Sequence, residues 1–254
     1  MSTSPETEIT LEANILIDEL KKVGVLARLL GGLGIAAHDH DVVPVQLQRE
    51  YADIDIVIGK RDGRGLTKFL LERGYFANEK FNALHGAKRM LFYDKSNSRQ
   101  MDVFIGSFDM CHYLELDKYL SLHEYSLAPE HLLLTKLQIV ELNQKDLVDV
   151  VRLLLMHKNK DLFKFTCPGI SIENLNSILC FDWGWYTTVT DNLLKVQSRA
   201  AEILNESDSQ FVSSNISEIL EQINGSTKSL KWKARATVGR HKIWYEIPEE
   251  ISGK

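Results

Sequence analysis

The sequence contains few of the residues that mark specialised classes of protein. Its 254 residues include only three cysteines, Cys111, Cys167 and Cys180, with no CxxC spacing, so neither a disulfide framework nor a zinc ribbon is predicted. No apolar run approaches the roughly 20 residues that a membrane helix requires. The first ten residues lack both the basic and the apolar region of a signal peptide. These absences predict a cytoplasmic protein without a membrane partner.

Positive charge is not in excess, because the formal net charge is −5, which argues against a general nucleic-acid coat protein. Residues 226–245 are an exception, with no Asp or Glu and with six cations, Lys228, Lys231, Lys233, Arg235, Arg240 and Lys242. Aromatic residues interleave with these cations, a mixture that can contact RNA phosphates and stack on bases. A solvated helix face with buried tryptophans explains the same residues, so both interpretations stay open.

The hydrophobic pattern predicts two regions. Strand-like alternation is confined to the first half, whereas helical periodicity prevails from Pro129 onward. We therefore predict a catalytic domain over residues 1–128 and a helical region over 129–254. The expected fold class is α/β (α+β), with a short mixed sheet and flanking helices.

Individual elements follow from spacing and from helix-ending residues. Leu16, Leu20 and Val23 predict a helix that Thr10 could cap and Gly24 ends. The apolar run 25–30 predicts a buried strand that leads into a glycine turn. Further elements predicted are strands at 53–58, 90–93 and 101–105, the last two as an antiparallel hairpin, a helix around Leu66 to Leu70, and helices at 129 onward, 146–157, 183–205 and 210–224.

Three aspartates are the strongest functional signal. Asp53 and Asp55 are separated by one residue on a strand, so both side chains leave the same face. Asp102 lies in a second apolar strand. Carboxylates placed together repel each other, and a hard divalent cation such as Mg²⁺ neutralises them while keeping positions for phosphate oxygens. The alternative for the Asp53–Asp55 pair alone is an ordinary exposed strand edge.

A glycine pair precedes these acids. Gly31 and Gly32 follow the apolar strand, and glycine lets a backbone approach a ligand closely while amides at a helix start can bind phosphate. Glycine pairs also mark plain tight turns. The glycine pair becomes informative because it lies upstream of the acidic strand.

This order of motifs resembles the nucleotidyltransferase superfamily of the polymerase-beta type: a strand, Gly31-Gly32, a helix, the strand Asp53-Ile54-Asp55, and a third acid in Met101-Asp102-Val103. The segment from Arg49 to Asp55 is similar to the branch that contains AbiEii-type toxins and some antibiotic nucleotidyltransferases. The resemblance covers residues 10–157. Asp53 lies 21 residues after Gly32, an unusually long interval, and Gly32 stands where serine is common.

The resemblance implies transfer of a nucleoside monophosphate from an NTP to an acceptor hydroxyl with release of pyrophosphate. The acceptor, whether tRNA, a protein hydroxyl or a small antibiotic-like molecule, stays open. Two Mg²⁺ ions are implied. The implied catalytic residues are Asp53, Asp55, Asp102 and Lys136, the three acids being the metal ligands. The implied nucleotide-binding residues are Gly31, Gly32, Arg49, Lys136 and Asp149.

Lys136 lies on the apolar face of its predicted helix, where lysine needs a partner. A nucleotide phosphate would satisfy it, as would a carboxylate such as Asp149, and a side chain that reaches solvent is the plain alternative. Asp146 is a further acid to test beside Asp149. The loop residues His38-Asp39-His40-Asp41 could hold a metal or contact substrate, although such residues are usually solvated.

A second hypothesis is not enzymatic. A transferase-like module that binds nucleotide or RNA without turnover would carry the same residues, because a fold and its site residues do not guarantee activity.

Overall fold

The computed structural model describes residues 4–39, 43–155 and 170–248. Contacts divide the chain into two units. The first unit consists of Met1–His38, Arg49–Phe108 and Leu114–Ala128. The second consists of Asp39–Gln48, Asp109–Tyr113 and Pro129–Lys254. Two short segments from the first 128 residues thus belong to the unit that contains the region after Pro129.

A five-stranded mixed sheet lies at the centre of the first unit. Its strands are β1 (Ala27–Leu29), β2 (Asp53–Ile58), β3 (Phe76–Ala77), β4 (Arg89–Asp94) and β5 (Arg99–Ile105). The spatial order is β1-β2-β5-β4-β3, with β2 parallel to β5 and the other neighbours antiparallel. Strands β6 (Ser107–Asp109) and β7 (Tyr113–Glu115) form a separate two-stranded sheet. The α/β fold with a short mixed sheet is confirmed.

The helices of the first unit are α1 (Ile9–Lys22), α2 (Gly31–Ala36), α3 (Gly63–Glu72) and α4 (Glu79–His85). One cluster of buried side chains joins α1 and α3 to alternate sheet positions such as Ile54, Ile56 and Val103. Burial of each such aliphatic side chain contributes about 1.5–3 kcal/mol. Because strand side chains alternate, Asp53 and Asp55 leave the sheet on the face opposite this core.

The start of α1 differs from the sequence-based expectation. Glu8, not Thr10, is the N-cap, and its carboxylate accepts hydrogen bonds from the backbone N–H groups of Thr10 and Leu11. Thr10 is already inside the helix because the longer Glu8 side chain satisfies the first free amides. Gly24, at φ +80°, follows the helix as expected.

A buried ionic cluster links α1 to the residues that follow α3. Arg73 donates to Glu12 through Nε at 2.9 Å and Nη2 at 2.7 Å, and through Nη1 to Glu19 at 2.7 Å. Tyr75 donates its hydroxyl to Glu12 at 2.9 Å. The hydrogen bonds that Arg73 donates to Glu12 raise the pKa of Arg73, and burial, followed by the Glu12 charge, raises the pKa of Tyr75. The cluster therefore joins α1 to the residues after α3 within the first unit.

The second unit contains helices throughout its described part after residue 128. They are α5 (Pro129–Leu137), α6 (Gln144–Leu155), α7 (Ile172–Leu179), α8 (Trp183–Ile203), α9 (Glu206–Gly225) and α10 (Leu230–Val238). Two buried asparagines complete helix ends: Asn192 donates to the carbonyls of Leu137 (2.8 Å) and Ile139 (2.7 Å), and Asn215 to that of Leu154 (2.9 Å). Carbonyls at helix C-termini lack partners within the helix, so these amides satisfy them.

Most element predictions agree with these bounds. The strand 53–58 and the hairpin of β4 and β5 are confirmed, as are the helices that correspond to α1, α3, α5, α8 and α9. The predicted helix 146–157 is present as α6, and residues 156–157 lie outside the described ranges. Helices α4, α7 and α10 and the strands β3, β6 and β7 were not individually predicted. Within residues 4–39, 43–155 and 170–248, none of the helices has the length and apolar character needed to cross a membrane.

Candidate active site

Strand β2 presents two acids on the side of the sheet opposite the core. Asp53 is exposed and Asp55 is half-buried, whereas the alternating residues Ile54 and Ile56 are fully buried. The alternation fixes both carboxylates on one face, at neighbouring positions along the strand.

Asp102 lies directly beside Asp55. The two strands run parallel, and their register pairs Asp55 with Asp102 and Asp53 with Gln100. Paired residues on adjacent strands point to the same face, and the strand spacing is about 4.8 Å. The third acid therefore shares its face and its level with Asp55, so the sheet brings together the two strands on which the sequence places the acids.

Asp102 is held by Arg89. The Arg89 guanidinium donates from Nε to Asp102 Oδ1 at 2.7 Å and from Nη2 to Asp102 Oδ2. Arg89 lies opposite Phe104 in the antiparallel register of β4 and β5, and its guanidinium carbon is 4.9 Å from the centre of the Phe104 ring. Both oxygens of Asp102 thus face one planar cation, which is a strong type of pairing for a carboxylate.

The two glycines predicted to form a turn are the first residues of α2, and Gly31 contacts the acidic strand. Gly31 has φ +63°, and a Cβ atom on it would lie 2.1 Å from Oδ2 of Asp55. The Leu30 N–H also donates to the Asp55 carbonyl at 3.0 Å. A side chain at position 31 would therefore displace the Asp55 carboxylate, and the positive φ disfavours other residues independently.

Gly32 leaves room for the side chain of Arg49. A Cβ atom at this position would lie 2.0 Å from Arg49 Nη2 and 2.7 Å from Tyr51 Cε1. Arg49 in turn lies over the Tyr51 ring, with its guanidinium carbon 5.0 Å from the ring centre. Serine, common at this position in the family resembled, would require Arg49 and Tyr51 to move. The glycine and the Arg49–Tyr51 stack thus depend on each other.

Lys136 contacts two carboxylates. In the second unit, its Nζ lies 2.8 Å from Asp146 and 2.9 Å from Asp149. Burial alone lowers the pKa of Lys136, but the two carboxylates raise it above its ordinary value. A carboxylate was one of the partners considered for Lys136 from the sequence, and two carboxylates contact it in the structure. Lys136 is therefore paired with both acids, and nucleotide binding by Lys136 and Asp149 stays a prediction.

The described part of the histidine-rich loop is engaged in local contacts. In the first unit, His38 Nε2 lies 2.8 Å from both Ser126 Oγ and the Leu127 carbonyl. In the second unit, Asp39 pairs with Arg152, whose Nε donates at 3.1 Å. His40 and Asp41 lie outside the described residues. Within the described ranges, no group of three or more His, Cys, Asp or Glu side chains is arranged to hold a metal ion, and this result includes Asp53, Asp55 and Asp102.

The basic segment 226–245 is divided between packed and exposed cations. Lys228, Arg235 and Arg240 lie over aromatic rings, with Arg235 4.6 Å from the Trp183 ring centre. Arg240 also pairs with Asp191 at 2.8 Å. Lys231, Lys233, Arg240 and Lys242 are exposed to solvent, whereas Lys228 and Arg235 are half-buried. Contact with RNA through this segment stays a prediction.

A cavity of about 730 Å³ lies beside this segment within the second unit. Its lining includes Phe181, Trp183, Trp244, Tyr245, Lys231 and Arg235. Phe181 is 62% exposed, so one aromatic surface of the lining is open to solvent. A cavity of this size accommodates a ligand as large as a nucleotide.

His112 also lines this cavity and is held neutral. Its Nε2 lies 2.8 Å from Thr188 Oγ1, which accepts a hydrogen bond from Trp244 Nε1 at 3.0 Å. Burial lowers the pKa of His112 to about 4, against a smaller opposite effect of Asp182. The chain of contacts fixes the Trp244 side chain onto α8.

Sequence reasoning missed Arg89 and Tyr51 as residues of the site. Arg89 precedes the predicted strand 90–93, and in the observed register it lies opposite Phe104, on the same face as Asp102. Tyr51 lies two residues before Asp53, in the segment already noted for Arg49.

Comparison with known proteins does not assign a family. No protein-family model matches the chain, and no curated protein matches it. Among solved structures, the chain is similar to the crystal structure of JHP933 from Helicobacter pylori, with 11% sequence identity over 93% of this chain and 97% of that chain and a TM-score of 0.38. A likeness at this level supports no argument about function, so the functional reading rests on the chain's own residues.

Proposed function

We propose that this protein is a Mg²⁺-dependent nucleotidyltransferase that moves a nucleoside monophosphate from an NTP to an acceptor hydroxyl and releases pyrophosphate. The observation that carries the proposal is the register of Asp55 with Asp102 on two parallel strands, with Asp53 on the same face. Acids that face away from a hydrophobic core and lie side by side are costly unless a cation neutralises them.

The residue types fit Mg²⁺. Asp53, Asp55 and Asp102 offer carboxylate oxygens, which Mg²⁺ prefers, and Gly31 leaves the space beside Asp55 without a side chain. When bound, Mg²⁺ would neutralise triphosphate charge and lower the pKa of the acceptor hydroxyl. Both oxygens of Asp102 contact Arg89 in this structure.

The chain's own groups would position the nucleotide. Gly31 and Gly32 let triphosphate oxygens approach the backbone, and Arg49, above Gly32, would offset charge on the departing pyrophosphate. The Arg49 guanidinium is oriented by the Tyr51 ring, which reduces the entropy lost when it binds phosphate. Lys136, the other cation that the resemblance implies for this role, contacts two carboxylates.

The direct test is transfer of label from each of the four α-³²P NTPs to components of a cell extract, with Mg²⁺ or EDTA. We expect labelled product with Mg²⁺, and a loss of at least about 100-fold in Asp53→Asn and Asp55→Asn, as for loss of groups that stabilise developing charge. Glu221→Gln, at an exposed position of α9, is the matched control. Full activity in Asp53→Asn would refute the assignment.

The second candidate is a transferase-like module that binds RNA or nucleotide without turnover. The exposed lysines of segment 226–245 and the adjacent aromatic cavity favour RNA contact by the second unit. Thermal unfolding separates the candidates: a metal-nucleotide site raises the melting temperature with Mg²⁺ and NTP together, whereas an RNA-binding module responds to RNA in a salt-dependent way and not to Mg²⁺ with NTP.

A further inference from the structure

The third acid of the site has its own counter-charge. The Asp102 side chain is 7% exposed and that of Arg89 21% exposed. The guanidinium contacts both carboxylate oxygens and is supported underneath by the Phe104 ring. This is a built contact between adjacent strands, not a chance surface pair.

The register explains why Asp102 requires such a partner. Asp55 occupies the neighbouring position on β2, so one side of Asp102 faces another acid, and Arg89 lies on the other side, on β4. Two carboxylates on neighbouring strands destabilise each other unless positive charge is nearby. A guanidinium and a divalent cation would serve the same electrostatic purpose at this place, and both would use the oxygens of Asp102.

We propose that Arg89 is an internal counter-cation that occupies Asp102 when no divalent cation is bound and gives up at least one Asp102 oxygen when a cation binds. Arg89 thereby sets the affinity of the Asp53–Asp55–Asp102 face for divalent cations. This inference rests on the proposed function for the presence of a cation at that face. Arg89 is in this view a positioning residue, because it acts on the cation through Asp102.

The test is direct titration of the full chain with Mn²⁺ alone, followed by electron paramagnetic resonance of the free ion. In Arg89→Ala we expect Mn²⁺ to bind at least about tenfold more tightly than in the unaltered protein, because the competing charge-assisted pair is gone. Arg89→Lys should lie between the two, since lysine keeps the charge without the two-point contact. Arg61→Ala removes the same charge from an exposed position and should leave the affinity unchanged.

A second measurement covers the possibility that Arg89→Ala weakens the fold. Without divalent cations the melting temperature should fall in Arg89→Ala, and Mg²⁺ should raise it more than in the unaltered protein. Asp102→Asn combined with Arg89→Ala should abolish that extra response. An unchanged or weakened Mn²⁺ affinity in both Arg89 variants, or no Mn²⁺ binding in any variant, would overturn the inference.

The outcome is separable from that of the proposed function. If transfer of nucleoside monophosphate is found while Mn²⁺ affinity is indifferent to Arg89, only the counter-cation role is wrong. If Mn²⁺ affinity rises in Arg89→Ala but none of the four NTPs yields product, the cation site stands and the transferase assignment is wrong.

Discussion

Gly31 and Asp55 lie so close together that a Cβ atom on Gly31 would be 2.1 Å from Oδ2 of the Asp55 carboxylate. The first residue of α2 and the second acid of β2 therefore constrain each other. A glycine at this place is required by the neighbouring carboxylate as well as by its own φ of +63°.

Gly31→Ala should therefore impair both the fold and the site. We expect a destabilisation of about 1–3 kcal/mol from the left-handed conformation alone, measured by urea unfolding, and loss of transfer activity because Asp55 must turn away. Gly225→Ala is the control, since the space around Gly225 is open to 4 Å. Equal stability of the two variants would contradict the close approach.

Lys136 provides a test of structural against ligand-binding roles. If its main task is to neutralise the buried Asp149, Lys136→Ala should lower the free energy of unfolding by about 3–5 kcal/mol, the usual cost of leaving one partner of a buried pair. The double variant Lys136→Met with Asp149→Leu should recover much of the loss. A stable Lys136→Ala variant with a diminished response of melting temperature to NTP would instead favour phosphate binding.

His112 predicts that the second unit loses stability in acid. Its pKa is lowered to about 4 in the fold, whereas an unfolded histidine titrates near 6.5. The unfolded chain thus binds the proton first, and the contribution to stability, about 3 kcal/mol above pH 6.5, is lost as pH falls from about 6.5 to 4. In His112→Gln that part of the pH dependence should be absent, while the exposed control His241→Gln should retain it.

Tryptophan fluorescence is suited to the His112 measurement because all four tryptophans lie in the second unit. Denaturant titrations at several pH values between 4 and 7 would therefore report that unit. A pH dependence in His112→Gln identical to that of the unaltered protein would show that His112 is not its source.

The exposed lysines predict a salt-dependent contact with single-stranded RNA. For a labelled 12-nucleotide RNA, Lys231→Ala with Lys233→Ala should weaken binding and reduce the slope of log K against log salt by about 1.4, at about 0.7 per phosphate contact. Phe181→Ala should weaken binding about tenfold or more through lost stacking. The control pair Lys22→Ala with Lys80→Ala, exposed in the first unit, should change neither value; equal effects of the two lysine pairs would exclude a specific surface.

The sequence predicted those elements whose side chains follow a clear period. Strand β2 alternates from Asp53 to Ile58, so its limits and the face of its acids could be stated beforehand. Helices α4 and α10 were not predicted because none of the residues in Glu79–His85 or Leu230–Val238 is buried. Without a buried stripe, a short helix has no periodic signal.

Contacts between different helices and strands were harder to predict from the sequence. The two acids that contact Lys136 lie 10 and 13 residues later in the chain, and their approach depends on how α5 packs on α6. The sequence could name a carboxylate as one partner among several but not rank them. Arg89 shows the same limit, because its contact with Asp102 depends on the register of two strands. The membership of Asp39–Gln48 in the second unit is a tertiary property with no local signature.

The strand order of the central sheet also bears on how the protein behaves at high concentration. Both outer strands are short, three residues in β1 and two in β3. The outer edge of β1 is in addition covered, because Leu29 donates to the Tyr125 carbonyl at 2.9 Å and accepts from the Leu127 N–H at 3.0 Å. Long open edges are templates for pairing between molecules. Because one edge is covered and the strand at the other is only two residues long, a second copy has little backbone to pair with, and we expect aggregation to require prior unfolding.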